Sequence, residues 1–213
     1  MRSALRRLPA ALALGAVALA LALGLGWWRT DGPGAAPEAP VGARPLPLDE
    51  MAFRLTDHEG RPVGPESLLG RPSLVFFGFT HCPDVCPTTL SEISGWLDAL
   101  GPEARSLNAV FVTVDPERDT VEAMAEYVSY FHPAVRGWTG PPEAIAEAAK
   151  GFRVRADRVE LGDGDYAMDH TASVFLFHAD GRFAGTVDPH EPREFALPKI
   201  RRVLRDDEGG TES

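Results

Sequence analysis

Two kinds of apolar pattern divide the chain. From Leu8 to Trp28 no charge interrupts 21 positions, and Arg2, Arg6 and Arg7 stand just before them. At ~1.5 Å of helical rise per residue this stretch spans roughly 30 Å, the thickness of a bilayer core. The basic cluster predicts residues 1–7 on the cytoplasmic side and everything after Trp28 outside. A cleaved signal peptide is the rival reading; its usual apolar region is shorter, and no clear cleavage site follows. Both readings place the remainder outside the cytoplasm. Residues 29–47 are rich in proline and glycine and read as a stiffened linker.

Beyond Pro47 the apolar runs are short and alternate in period. Leu74-Val75-Phe76-Phe77-Gly78-Phe79 is continuous, as expected of a strand covered on both faces. Pro87 to Leu100 places Leu90, Ile93, Leu97 and Leu100 on one helical side. Ala109 to Val114 reads as a second buried strand. Asp119-x-x-Glu122 then looks like a helix start, followed by Val121, Met124, Ala125, Val128 and Phe131 at helical spacing. Glu143 to Phe152 is a shorter helix. Phe53 to Thr56 with the Gly60–Gly64 turn suggests a hairpin; Ser173 to Phe177 and Arg182 to Val187 suggest another around Asp180-Gly181. A last helix over Arg193–Arg205 is expected to bury Phe195, Ile200, Val203 and Leu204, and the acidic end, 206–213, reads as a disordered tail. Glu160 to Asp165 lacks calcium-loop spacing and reads as a solvated loop. Strand, helix, strand, helix, hairpin, helix is the order of a thioredoxin-like α/β sandwich: a central mixed β-sheet with flanking helices over residues 48–205.

Charge narrows the partners. The net charge is −10, and the part outside the N-terminal segment carries 18 basic residues against 31 acidic ones. That excludes a nucleic-acid surface, which needs clustered Lys and Arg. Two cysteines are too few for a disulfide scaffold.

Those cysteines lie in Gly78-Phe79-Thr80-His81-Cys82-Pro83-Asp84-Val85-Cys86-Pro87. A buried strand feeds a turn, and a helix starting at Pro87 puts Cys86 at or beside its N-cap, where free N–H groups favour a thiolate. Cys-x3-Cys spacing lets both sulfurs face a metal or each other. Soft sulfur selects copper(I) or zinc, and imidazole suits both. His170, in Asp169-His170-Thr171, directly precedes a strand whose entry loop faces the cysteine turn in a thioredoxin-like sheet, so it is the candidate third ligand. His81 is expected to point away from such a metal and to tune it; Asp115 and Asp169 are further candidates for supporting positions. For Asp115, capping the next segment is an equal alternative. His58, His132, His178 and His190 read as surface residues, and Met168 as packing.

Taken together, Gly78–Pro87, Val114-Asp115-Pro116-Glu117-Arg118-Asp119-Thr120 and Asp169-His170-Thr171 resemble the SCO/SenC family. The resemblance covers roughly Leu46 to Val187; Asp188-Pro189-His190-Glu191-Pro192 departs from it. It implies a thioredoxin-like fold and one copper ion per chain on Cys82, Cys86 and His170. It also implies a part in building the binuclear copper centre of cytochrome c oxidase, with the oxidase's copper-bearing subunit, other copper chaperones and thiol reductants as partners. The same sulfurs would serve the alternative, an enzyme: a thiol–disulfide oxidoreductase reducing the cysteines of that centre.

Overall fold

The computed structural model describes residues 44–162 and 164–209. The expected membrane segment and most of the expected linker lie outside the described residues. Among those described, no helix is long and apolar enough to cross a membrane. Pro45, assigned from sequence to the linker, is buried, and Leu46 N–H donates to the Gly151 carbonyl at 3.0 Å.

A seven-stranded mixed sheet runs β2-β1-β5-β4-β3-β8-β9. Its strands are β1 (Leu55–Asp57), β2 (Pro62–Val63), β3 (Ser73–Gly78), β4 (Asn108–Thr113), β5 (Val135–Thr139), β8 (Val174–Phe177) and β9 (Phe183–Val187). A separate antiparallel hairpin, β6 (Ala156–Gly162) with β7 (Asp165–His170), makes no strand pairing with that sheet. The helices are α1 (Val85–Leu100), α2 (Val121–Val128), α3 (Pro142–Phe152) and α4 (Arg193–Gly209). This is the expected α/β thioredoxin-like arrangement.

Every residue of β3 is buried, which is why its sequence is an unbroken apolar run. Alternation along the strand divides two aromatic clusters. Phe77 meets Phe152 of α3 at 5.0 Å between centroids, and Phe152 also reaches Phe53, Phe175 and Phe177. Phe76 stacks on Phe111 at 5.8 Å, and Phe111 in turn meets Tyr127 of α2. Each such ring contributes about 1.5–3 kcal/mol by leaving water.

Topology explains why distant parts of the chain meet. β3 and β4 are parallel, so the segments leaving Gly78 and Thr113 emerge at one sheet edge. β8 runs antiparallel to β3, with Val174 opposite Phe76, so its beginning lies at that same edge. The carboxyl end of parallel strands is where open α/β sheets place their sites.

Several sequence expectations change. Helix α1 starts at Val85, not Pro87, which takes Cys86 inside the first turn. Residues 160–162 and 165 belong to the strands of a β-hairpin where a loop was expected, and Gly164 stands at φ 83° beside them. The cap of α2 is Thr120, whose side chain accepts from Ala123 N–H, because Asp119 is turned into the interior. Phe195 is 60% exposed; Ala196 takes the buried place beside Ile200, Val203 and Leu204. Helix α4 continues to Gly209, so 206–209 are helical where a disordered tail was expected.

Candidate metal centre

Cys86 is fully buried and Cys82 half-buried, and both are free thiols. Cys86 N–H donates to Cys82 Sγ at 3.4 Å, so one sulfur sits over the first turn of α1 and the other within it. The close packing under this turn requires Gly78: a Cβ there would stand 2.8 Å from Cys86 Sγ and 2.8 Å from the Phe111 ring. Burial also overturns the expected thiolate. Loss of water pushes the Cys86 thiol well above its usual range, and the main-chain hydrogen bond from Phe79 offsets only part of this. Desolvation wins over the helix N-terminus, and the sulfur holds its proton until something replaces it.

His170 closes β7 where the sequence suggested a loop; three residues then lead into β8. Its Nε2 lies 3.5 Å from Cys86 Sγ. Its Nδ1 lies 3.0 Å from the Thr171 carbonyl. A carbonyl only accepts, so in the neutral ring Nδ1 carries the hydrogen and Nε2 presents a lone pair to the sulfur. Burial lowers the His170 pKa and keeps the ring neutral, the form that binds metals. Phe79 and Phe76 hold it edge-on, at 5.9 and 6.4 Å between centroids. A ring nitrogen tied to a carbonyl is the usual way a ligating histidine is oriented. The 3.5 Å edge between sulfur and nitrogen is also about what a d10 cation would span at typical bonds of ~2.3 and ~2.0 Å. Among the described residues no three such side chains close around one point.

The supporting candidates divide. His81 is exposed; its Nδ1–H donates to Thr80 Oγ1 at 3.0 Å, and it lies 3.9 Å from Asp119. Asp115 is 3% exposed and accepts from Tyr166 Oη at 2.8 Å and from Arg118 Nε, ties that run to the hairpin. Partial burial and that bond push the Tyr166 hydroxyl up to about 12, so it remains a donor. Asp169 is exposed, on the alternate side of β7 from His170, and adds only a weak charge effect on the ring. His58 and His132 are half-buried, accepting main-chain N–H groups from Gly137 and Ala134.

Sequence reasoning missed Asp119. It has no solvent exposure and accepts from Thr80 N–H at 3.1 Å, Thr80 Oγ1 at 2.6 Å and Thr113 Oγ1 at 2.6 Å. The threonines two residues before Cys82 and at the end of β4 were the available signal: both are hydroxyls where an apolar side chain would otherwise pack.

A thioredoxin-like sheet with two thiols just beyond its inner strand β3 and an imidazole against one of them defines a soft-metal or redox protein. The comparisons sharpen the class: the SCO1/SenC pattern matches residues 44–205, and the chain belongs to that family. The structure of Bradyrhizobium japonicum ScoI with copper bound is similar over 76% of this chain and 99% of its own, at 46% identity and TM-score 0.68. Yeast Sco1 with copper bound matches 76% of this chain and 92% of its own, at 30% identity and TM-score 0.67. The mitochondrial SCO2 homologue of Danio rerio is 42% identical over 66% of this chain and 51% of its own length. That of Mus musculus is 39% identical over 71% and 61%. The chain thus spans between about half and six-tenths of these curated relatives.

Proposed function

We propose that this chain is a copper carrier that holds one copper ion on Cys82, Cys86 and His170. It delivers the ion to the copper-bearing subunit of cytochrome c oxidase. The observation that carries this reading is the lone pair of His170 Nε2 aimed at Cys86 Sγ across 3.5 Å, with Nδ1 tied to Thr171. Soft sulfur with neutral imidazole is a donor set suited to copper(I). The copper-bound ScoI and Sco1 structures named above support the choice of metal. Loading displaces the thiol protons, and transfer proceeds by exchanging thiolates one at a time, so no free ion is released. Other copper chaperones or thiol reductants supply the metal and keep the thiols reduced.

The surrounding organisation belongs to the same proposal. Residues 8–28 anchor the chain, 1–7 stay cytoplasmic, the linker up to residue 43 acts as a spacer, and the domain works on the extracytoplasmic side.

Titration of the reduced protein against a competing copper(I) chelator tests the carrier reading. About one copper per chain is expected, and His170→Ala should weaken binding at least ~100-fold while far-ultraviolet circular dichroism stays unchanged. Unaltered affinity in that variant overturns the ligand assignment.

The unequal burial of the two sulfurs favours one second reading, a thiol–disulfide oxidoreductase. Cys82, the accessible one, would attack a partner disulfide as thiolate; Cys86 would then displace the partner's second sulfur. The partner gains two electrons and leaves as a dithiol, and Cys82–Cys86 becomes a disulfide. The reduction potential of the pair decides it: a strongly oxidising pair cannot reduce a partner, and the reductase reading falls.

A further inference from the structure

The turn between β4 and α2 touches both halves of the site. Its backbone is closed by Arg118 N–H and Asp119 N–H, which donate to the Asp115 carbonyl at 3.2 and 3.0 Å. From this one turn two buried carboxylates reach different partners. Asp119 takes hydrogen bonds from Thr80, through both its N–H and its hydroxyl, and from Thr113. Thr80 leads directly into His81 and Cys82, so this carboxylate holds the cysteine segment.

Asp115 faces the hairpin instead. It accepts from Tyr166 Oη and from Arg118 Nε. The Arg118 guanidinium lies 3.7 Å from the centre of the Tyr166 ring and donates to the Tyr166 carbonyl at 3.0 Å. Arg158 covers the same ring at 3.6 Å and reaches Glu117 at 3.2 Å. A tyrosine between two guanidiniums, with its hydroxyl on a buried carboxylate, is a clamp. It acts where no strand pairing does, since β6 and β7 pair as strands with each other and not with the seven-stranded sheet. Tyr166 and His170 are on the same strand, β7. Only arginine has the planar fork that stacks and donates at once; lysine cannot do both.

We infer that Asp119 positions the thiol half of the site, and that Asp115 with Arg118 and Tyr166 positions the imidazole half, so that this single turn sets the spacing between them. The inference rests on the copper reading for its consequence, but not for its geometry. Truncation on one side should therefore disturb one half and spare the other, which a general structural defect would not do.

The test uses the full chain in detergent, with Arg118→Lys, Tyr166→Phe and Asp119→Asn compared with His170→Ala. Three quantities are read: amide hydrogen exchange of the metal-free protein, copper(I) affinity by chelator competition, and the reduction potential of Cys82–Cys86. Arg118→Lys should speed exchange in β6 and β7 by about tenfold or more relative to β3 and β4. It should weaken copper(I) by about 10–100-fold and leave the potential where it is. Tyr166→Phe should shift the same two quantities less. Asp119→Asn should move the potential and leave hairpin exchange unchanged; Thr80→Val serves in its place where Asp119→Asn does not fold. In the His170→Ala background, Arg118→Lys should cost no further affinity. Hairpin exchange and affinity unchanged in Arg118→Lys would overturn the inference, as would all three quantities moving together in both variants. Wild type and His170→Ala binding copper equally would sink the ligand reading alone, and the split between exchange and potential would still decide the positioning roles.

Discussion

The sheet and the β6–β7 hairpin bring candidate ligands to the same place by opposite means. β3 is buried along its whole length and places the cysteine turn through apolar packing on both faces. The hairpin exposes Val159 (44%) and Leu161 (64%), rests on the core through the partly buried Ala156 and Met168, and is otherwise held by polar contacts around Tyr166. Core packing is stiff, because interiors are close-packed and penalise small changes of volume. A clamp of a few charged groups has far less buried area behind it, so elements of this kind sit at the low end of local stability. The difference teaches that the site joins a stiff, apolar-packed half, which carries Cys86, to a half held largely by polar contacts, which carries His170.

The contrast can be broken at its strong end first. Phe152 is 1% exposed and meets four other phenylalanine rings. Phe152→Ala should cost about 3–5 kcal/mol in urea unfolding. A loss under ~1 kcal/mol would show that this aromatic cluster does not set the rigidity of the sheet. Gly78→Ala comes next. Its Cβ would meet Cys86 Sγ and Phe111, each at 2.8 Å, so about 1–3 kcal/mol should be lost. Alkylation of Cys86 should accelerate as the sulfur is displaced; unchanged reactivity would mean the turn relaxes without moving it.

A smaller effect tests Asp119. Burial raises its pKa above the ordinary 3.8, against the opposing hydrogen bonds from Thr113 and Thr80. The folded state then keeps a proton that the unfolded state has already released, so this group's contribution to stability falls as pH rises from 3.8 through the raised value. Unfolding free energy measured against pH should show that decline in wild type and a flatter profile in Asp119→Asn. Identical slopes would mean the three donors hold the carboxylate at its normal pKa. Smallest of all, Leu161→Ser should change stability by no more than ~0.5 kcal/mol. A loss above ~1 kcal/mol would mean that the hairpin tip is packed after all.

The same contrast governs what could be read from residues alone. β3, β4 and the helices carry strong apolar periodicity, and their places were legible within a few residues. β5 was not, because Arg136 and Gly137 interrupt its apolar run, although every position except Arg136 is buried. β6 and β7 show no apolar period either: six of the seven β6 residues are exposed, and the pairing rests on main-chain bonds. The cysteines and His170 were legible as chemistry, and their convergence followed from β8 running antiparallel beside β3. The roles of Asp115 and Asp119 were not. A carboxylate after a strand reads as a cap, and nothing local reports that Thr80, 39 residues earlier, will lie against it. Phe195 failed in the other direction: an aromatic at helical spacing looks buried whether or not a partner covers it.

Between His170 and Val174 the chain has only Thr171, Ala172 and Ser173. Fully extended, that leash lets the imidazole travel roughly 14 Å from the start of β8. A ring confined to such a radius stays at an effective concentration on the order of 0.1 M around the sulfurs. Even a hairpin that has peeled away therefore returns its donor faster than dissolved competitors at micromolar levels could arrive. On the carrier reading proposed above, the short tether makes release of cargo a reversible excursion, unless a recipient captures the ion while the arm is out.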